Sequence, residues 1–299
     1  MSVKSYYVEQ PCSRALHRVE GMPFRWSLNP YVGCAHRCAF CYVRAFERRA
    51  DRPADDRYGE VVRVKTNIAE QLERELRRPS WRREQVAIGT ATDPYQPAEA
   101  RYRLTRRCLE LLARFATPAS LVTRSPLVVR DVDVLLRLQQ AAGVTVTLSI
   151  PTLDGELTRR FEPGAPPPQQ RLRAVSQLRE AGVEAGVAVA PILPGLTDAE
   201  DTVRAVLLAA REAGASFVWA SPLRLPEGSR EQMFAALARH RPDLLPYYER
   251  LYGRPALPRG LAEKLVGRVE GLKRELRFGE EVRMGRPATS PPRQLSLFG

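Results

Sequence analysis

The chain has 299 residues, 44% hydrophobic and 27% charged, a balance that excludes a disordered or fibrous polymer and suits a globular protein with a substantial core. No stretch offers the ~18 uncharged apolar residues of a membrane span, the start MSVKSYYVEQPCSR has no apolar signal segment, and 5 cysteines are too few for a disulfide scaffold, so a cytoplasmic protein is expected. The 47 basic residues against 34 acidic ones leave a formal charge of +13, nearly all of it from arginine, which suits a phosphate-bearing partner such as nucleic acid and equally an ordinary solvated surface.

Residues 1–23 read as an N-terminal leader. From Phe24 to about residue 225, short β-branched runs alternate with amphipathic helical segments, the pattern of parallel β/α units. Strands are predicted near 25–31, 86–90, 119–123, 144–150, 185–191 and 216–220. Their runs (VAIG, LVT, VTVTLSI, AGVAVA, FVWA) are continuous and apolar, as in strands covered on both faces. Asn67 with Glu70 has the form of a capping box, ahead of Ile68, Leu72 and Leu76 on one helix face. Thr105 precedes Leu109 and Leu112, Thr197 or Asp198 precedes Val203 and Val206, Gly214 marks a helix stop, and Ser229 with Gln232 opens a further helix.

The fold class predicted is α/β, a partial (β/α)6 parallel barrel over 24–225 with functional residues at the carboxyl ends of its strands. A helical extension follows over 226–284, broken by Pro242, Pro246, Pro255 and Pro258. Residues 285–299 read as a flexible, proline-containing linker ending in QLSLF.

The segment NPYVGCAHRCAFCYVR sets Cys34, Cys38 and Cys41 in a C-x3-C-x2-C array directly after the first strand. Three crowded thiolates can hold three corners of a 4Fe-4S cubane and leave its fourth iron open. Structural zinc, with His36 or His17 as the fourth ligand, is the competing reading. Only Cys12 and Cys108 remain outside the triplet, too few for a second four-cysteine cluster.

With Phe40 before the last cysteine and the β/α pattern around it, this array resembles the radical S-adenosylmethionine superfamily. NPYVGCAHRCAFCY, TDPYQP, LVTRS, TLSI, RFEPG, RL and VAPILPG together resemble its spore photoproduct lyase-like branch, also called DNA repair photolyase-like. The resemblance implies a 4Fe-4S cluster on Cys34, Cys38 and Cys41, S-adenosyl-L-methionine on the open iron, an external electron donor and a 5'-deoxyadenosyl radical directed at DNA. It implies that Thr92 and Asp93 seat the methionyl amino group. Arg124 and Arg171 are candidates for the carboxylate, and Ser149 for the carboxylate or ribose. One departure is Thr90, which stands where the lyase carries the cysteine that returns a hydrogen atom.

The tail Gln294, Leu295, Ser296, Leu297 and Phe298 resembles the pentapeptide by which bacterial repair proteins dock on the DNA polymerase sliding clamp. Two other readings are carried with the enzyme: a cluster-containing module that binds nucleic acid or the clamp with little turnover, and a zinc-stabilised binding protein.

Overall fold

A computed structural model describes residues 5–278. The chain begins with β1 (Tyr6–Gln10), β2 (Leu16–Arg18), β3 (Trp26–Leu28) and β4 (Tyr31–Val32), then α1 (Arg44–Arg49), β5 (Val61–Lys65) and α2 (Ile68–Leu76). β6 (Val86–Ile88), α3 (Pro97–Tyr102), α4 (Leu104–Arg114), β7 (Ala119–Thr123), α5 (Val132–Ala141) and β8 (Val144–Ser149) follow. Next come α6 (Gly155–Phe161), α7 (Pro168–Glu180), β9 (Ala185–Ile192), α8 (Glu200–Glu212) and β10 (Val218–Pro222). Three helices close the described chain: α9 (Ser229–His240), α10 (Leu245–Leu251) and α11 (Arg259–Glu275).

The main sheet runs β10-β9-β8-β7-β6-β3-β2, with only β2 antiparallel to its neighbour. Its six parallel strands are the six predicted ones. The two faces differ, which the continuous apolar runs did not suggest. On one face Val86, Ile88, Leu121, Val146, Leu148, Val187 and Val218 have no exposed surface and belong to the hydrophobic core. The ladder register puts Ala87, Ser120 and Thr145 in one row of the other face, and Ser149, Ala188 and Trp219 in another. Apart from Trp219 the side chains in these rows are small or polar, and they leave room inside the curve of the sheet.

A second sheet, β1-β5-β4, is not predicted by the sequence pattern: β5 and the leader's β1 lie in segments left without strands, and β4 begins at Tyr31, where the predicted first strand ends. β1 opens on Tyr6, Tyr7 and Val8, of which only Tyr7 packs against the core, so the strand is half exposed and its pairing with β5 is carried by backbone hydrogen bonds.

Several helix starts differ from expectation because the polar side chain is bonded elsewhere, across the fold for Asn67 and within the preceding turn for Thr197 and Asp198. Asn67 makes no cap, because its amide is spent on the backbone N–H (2.7 Å) and carbonyl (3.1 Å) of Cys12. Thr197 accepts from Leu193 and Asp198 from Gly195, and neither caps α8. At α9 the Glu231 carboxylate turns back to the Gly228 N–H, leaving Ser229 free to bond elsewhere. Gly214 ends its helix with φ of 73°, as a left-handed stop should. Among the described residues no helix is long and apolar enough to cross a membrane.

Candidate active site

The cysteine segment is a backbone loop gripped from every side. Arg44, 1% exposed, reaches back from α1 to donate to the carbonyls of Cys38 (3.1 Å), Arg37 (3.2 Å), Ala54 (2.8 Å) and Asp55 (2.7 Å), with its guanidinium 4.5 Å from the centre of the Tyr58 ring. Buried Gln96 accepts from the Ala35 N–H at 3.0 Å and donates to the Gly33 carbonyl at 3.1 Å and to Thr92 Oγ1 at 2.8 Å. Ala39 N–H donates to the Phe161 carbonyl at 2.8 Å and Gly164 N–H to the His36 carbonyl at 3.0 Å, so the RFEPG segment lies along the loop.

Two glycines set how closely the loop is held. A Cβ on Gly59 would sit 2.2 Å from the Cys34 carbonyl oxygen, and one on Gly164 would sit 2.1 Å from that of Ala35. Neither position has room for a side chain.

The loop and the carboxyl ends of β6 and β7 border an open cavity of about 80 Å³. Cys34, Cys38 and Cys41 line it together with Thr92, Asp93 and Arg124. Ser149 and Arg171 lie outside this lining. Ser149 Oγ donates to the Ala190 carbonyl at 2.7 Å, and Arg171, with no exposed surface, donates to Glu162 (2.5 Å), the Ser149 carbonyl (2.9 Å) and the Pro166 carbonyl (2.8 Å).

Thr92 and Asp93 use their side chains to knit the site together. Thr92 Oγ1 donates to the Gly33 carbonyl at 2.7 Å. Asp93 accepts from Tyr95 N–H (2.9 Å), Thr123 Oγ1 (2.6 Å) and Arg124 N–H (2.7 Å), with His36 Nδ1 3.2 Å away. Burial alone would raise the Asp93 carboxyl, but His36, Thr123 and the Arg124 amide outweigh it and bring its pKa down to about 2.

Three features were not picked out from the sequence. Glu162, 2% exposed, lies between two guanidiniums, with Arg171 at 2.5 Å and Arg124 at 3.3 Å. Tyr42, directly after the last cysteine, lines the cavity and donates its hydroxyl to the Thr90 carbonyl. Arg37 lines the cavity with Nε and Nη2 buried and lacking a hydrogen-bond partner among the described residues. Glu162 was within reach of sequence reasoning, since RFEPG was already a matching segment; the other two carried no signal beyond their nearness to cysteine.

The donor set fits an anionic iron-sulfur cluster with a carboxylate-bearing cofactor beside it. Burial pushes the Cys34 thiol well up and the Cys38 thiol up to about 12, so without metal these groups keep their protons and metal binding must expel them. Burial would depress the Arg124 guanidinium, but Cys38, Glu162 and Cys41 outweigh that and hold it charged. Arg124 Nε is buried and faces Glu162 at 3.3 Å, but like the Arg37 donors it makes no well-formed hydrogen bond among the described residues. Among the described residues no three His, Cys, Asp or Glu converge on one metal-ion position, and His36 is turned to Asp93. Spaced thiols beside unsatisfied cations suit a cubane better than a tetrahedral zinc.

Three thiols opening on a cavity at the carboxyl mouth of a partial parallel barrel define a cysteine-ligated cofactor enzyme. The chain belongs to the radical SAM superfamily, whose description matches residues 28–206. Its cofactors are a 4Fe-4S cluster and S-adenosyl-L-methionine.

A protein of Mycobacterium tuberculosis, described only as uncharacterized, is 40% identical over 295 residues, spanning 96% of this chain and 86% of that one. A radical SAM Nalpha-GlyT isomerase of a Pseudomonas phage is 27% identical over 175 residues, 58% of this chain and 34% of that one. The fold is shared with spore photoproduct lyase bound to AdoMet and a dinucleoside spore photoproduct, with a TM-score of 0.69 at 16% identity, over 92% of this chain and 80% of that one.

Proposed function

We propose that this radical SAM enzyme acts on a modified or damaged base in DNA. The observation that carries the reading is the cavity itself: three thiols and two incompletely paired guanidiniums at the mouth of a fold shared with an enzyme solved in complex with a dinucleoside lesion. The formal charge of +13 and the phage relative named as a GlyT isomerase support the same substrate class. When bound, the cluster supplies the electron that splits S-adenosyl-L-methionine to methionine and a 5'-deoxyadenosyl radical, which takes a hydrogen atom from substrate.

In this reading Cys34, Cys38 and Cys41 hold three irons and leave the fourth open. Thr92 and Asp93 stiffen the loop that seats the methionyl amino group. Arg124 faces the carboxylate with a fully charged guanidinium. Ser149, at the end of β8 and outside the cavity lining, would reach the cofactor only by giving up its bond to the Ala190 carbonyl, and Arg171 acts as a positioning residue that holds Glu162 and the Ser149 carbonyl. Thr90 accepts a hydrogen bond from Asn29 Nδ2 at 3.1 Å, and its hydroxyl O–H bond is too strong to return a hydrogen atom as a thiol would. The proposed outcome is therefore a transformation other than the spore-lesion repair route.

The test is anaerobic reconstitution with about four iron and four sulfide per chain, followed by reduction in the presence of deuterated modified oligonucleotides. Deuterium in 5'-deoxyadenosine identifies the substrate. Formation of 5'-deoxyadenosine that never carries deuterium from any nucleic acid would remove the DNA reading while leaving the cofactor chemistry intact.

Gln294, Leu295, Ser296, Leu297 and Phe298 lie outside the described residues. We propose that they dock on the DNA polymerase sliding clamp and deliver the enzyme to newly copied DNA. Calorimetric titration with the clamp tests this, and binding unchanged by Leu297→Ala with Phe298→Ala rejects it.

A further inference from the structure

We infer that Tyr42, Phe46 and Arg49 form a stacking platform that holds the nucleotides flanking the target base of an opened DNA strand at the mouth of the cavity. The inference rests on the nucleic-acid reading above and adds where the strand lies.

Tyr42 is part of the cavity wall, yet the residue is 46% exposed. Its hydroxyl end is anchored on the Thr90 carbonyl, so one edge of the ring is fixed and the flank is open. Phe46, 41% exposed, meets it edge to face with centroids 5.9 Å apart and planes at 88°. The Arg49 guanidinium lies 5.5 Å from the Phe46 centroid. Phe46 and Arg49, three residues apart, are neighbours on α1, and Tyr42 stands in the turn just before that helix, against Phe46. Arg44, Ala45 and Glu47 of α1 are buried. A row of ring, ring and cation therefore leads outward from the cysteines.

Single apolar residues on a surface are ordinary, but these are not scattered. Of the six large hydrophobic side chains exposed among the described residues, Tyr42 and Phe46 are on this row and Tyr6, Val8 and Val61 are on the β1-β5 ribbon. Arg63 of β5 approaches Glu47 of α1 at 4.0 Å, which makes the ribbon and the helix neighbours.

The occupant follows from the pairing of chemistries. A nucleobase has a π face for an open aromatic ring, and its phosphate suits the guanidinium at the end of the row. An apolar protein surface would use the rings but leave Arg49 without an acceptor. Sequence-tolerant stacking beside the cavity also fits an enzyme whose target base must leave its stack to be reached.

The experiment uses the full chain, reconstituted anaerobically, and a fluorescein-labelled single-stranded deoxyoligonucleotide followed by anisotropy. Phe46→Ala should weaken binding roughly fivefold or more, Phe46→Trp should keep it, and Arg49→Gln should weaken it and make the logarithmic salt slope shallower by about 0.7. Circular dichroism and iron content confirm that each variant is folded and loaded. If Phe46→Ala and Arg49→Gln bind as the parent does, the platform is overturned and the DNA reading stands. If the parent binds no oligonucleotide, both fall. If Phe46→Ala leaves DNA binding intact and instead dissociates a dimer in sedimentation, the row is an interface between copies and the platform is likewise overturned.

Discussion

The Ser229 hydroxyl donates to the carbonyl of Cys41 at 2.8 Å, across 188 residues of sequence. Ser229 has no exposed surface and opens α9, so the helical extension is tied directly to the loop that carries the cysteines. Replacing it by alanine removes one buried hydrogen bond worth about 1 kcal/mol. Ser229→Ala should load its cluster and then lose iron to a chelator about two to ten times faster than the parent. Timed chelation at equal folded content measures this.

The five cysteines should divide into two groups. Cys34→Ala, Cys38→Ala and Cys41→Ala are each expected to bring iron and sulfide from about four per chain to near zero. Cys12→Ala and Cys108→Ala should keep the full content, because Cys108 is packed inside α4 and Cys12 is bonded through its backbone to Asn67. Metal and acid-labile sulfide assays on anaerobic samples decide it.

Gly164→Ala should separate loading from folding. Its new Cβ would fall 2.1 Å from the Ala35 carbonyl oxygen, and the obstacle is backbone that cannot swing aside. We expect far-ultraviolet circular dichroism close to the parent, stability lower by about 1–3 kcal/mol, and most of the iron gone.

Glu162→Ala leaves the Arg171 guanidinium, fully buried, facing empty space. Removing one partner of a buried ion pair costs about 3–5 kcal/mol. Urea denaturation of the metal-free protein under reducing conditions should show an unfolding free energy lower by that amount, with the midpoint moved to lower urea.

Acid should weaken one surface network in a defined window. The Arg106 guanidinium donates to both Asp133 oxygens at 2.8 and 2.7 Å, and this holds the carboxyl down to about 2. Because the folded pKa is depressed, the contribution is complete above the unfolded value of about 3.9 and disappears as pH falls through 2. Asp133 is half exposed, so the effect should be at most about 1 kcal/mol. The urea stability of Asp133→Asn should trail the parent near neutrality and converge with it at strongly acid pH.

The parallel barrel was legible because each strand is a short apolar run set off by glycine or polar residues, a signal contained within a few positions. Thr92, Asp93 and Arg124 reach the cavity because they follow strands β6 and β7, and strand ends can be read from the same pattern. What a strand end does not encode is direction. Arg171 opens α7 near the rim, yet Glu162 and two carbonyls occupy its donors and draw it into the interior. The same holds for Gln96 and Asn67, whose bonded partners are 61 and 55 residues away and leave no local mark. The β1-β5-β4 sheet was hidden for a related reason, its outer strand being half exposed and paired through backbone alone.

The closeness of Gly59 and Gly164 to the cysteine loop, together with the bond from Ser229, fixes an order of events in the life of the chain. The loop emerges from the ribosome early, but the surfaces that press on it come from residues 59, 164 and 229. A nascent fragment therefore has the three thiols without the mould that shapes them. A chain truncated before α9 should accordingly hold iron and sulfide less firmly than one that includes Ser229.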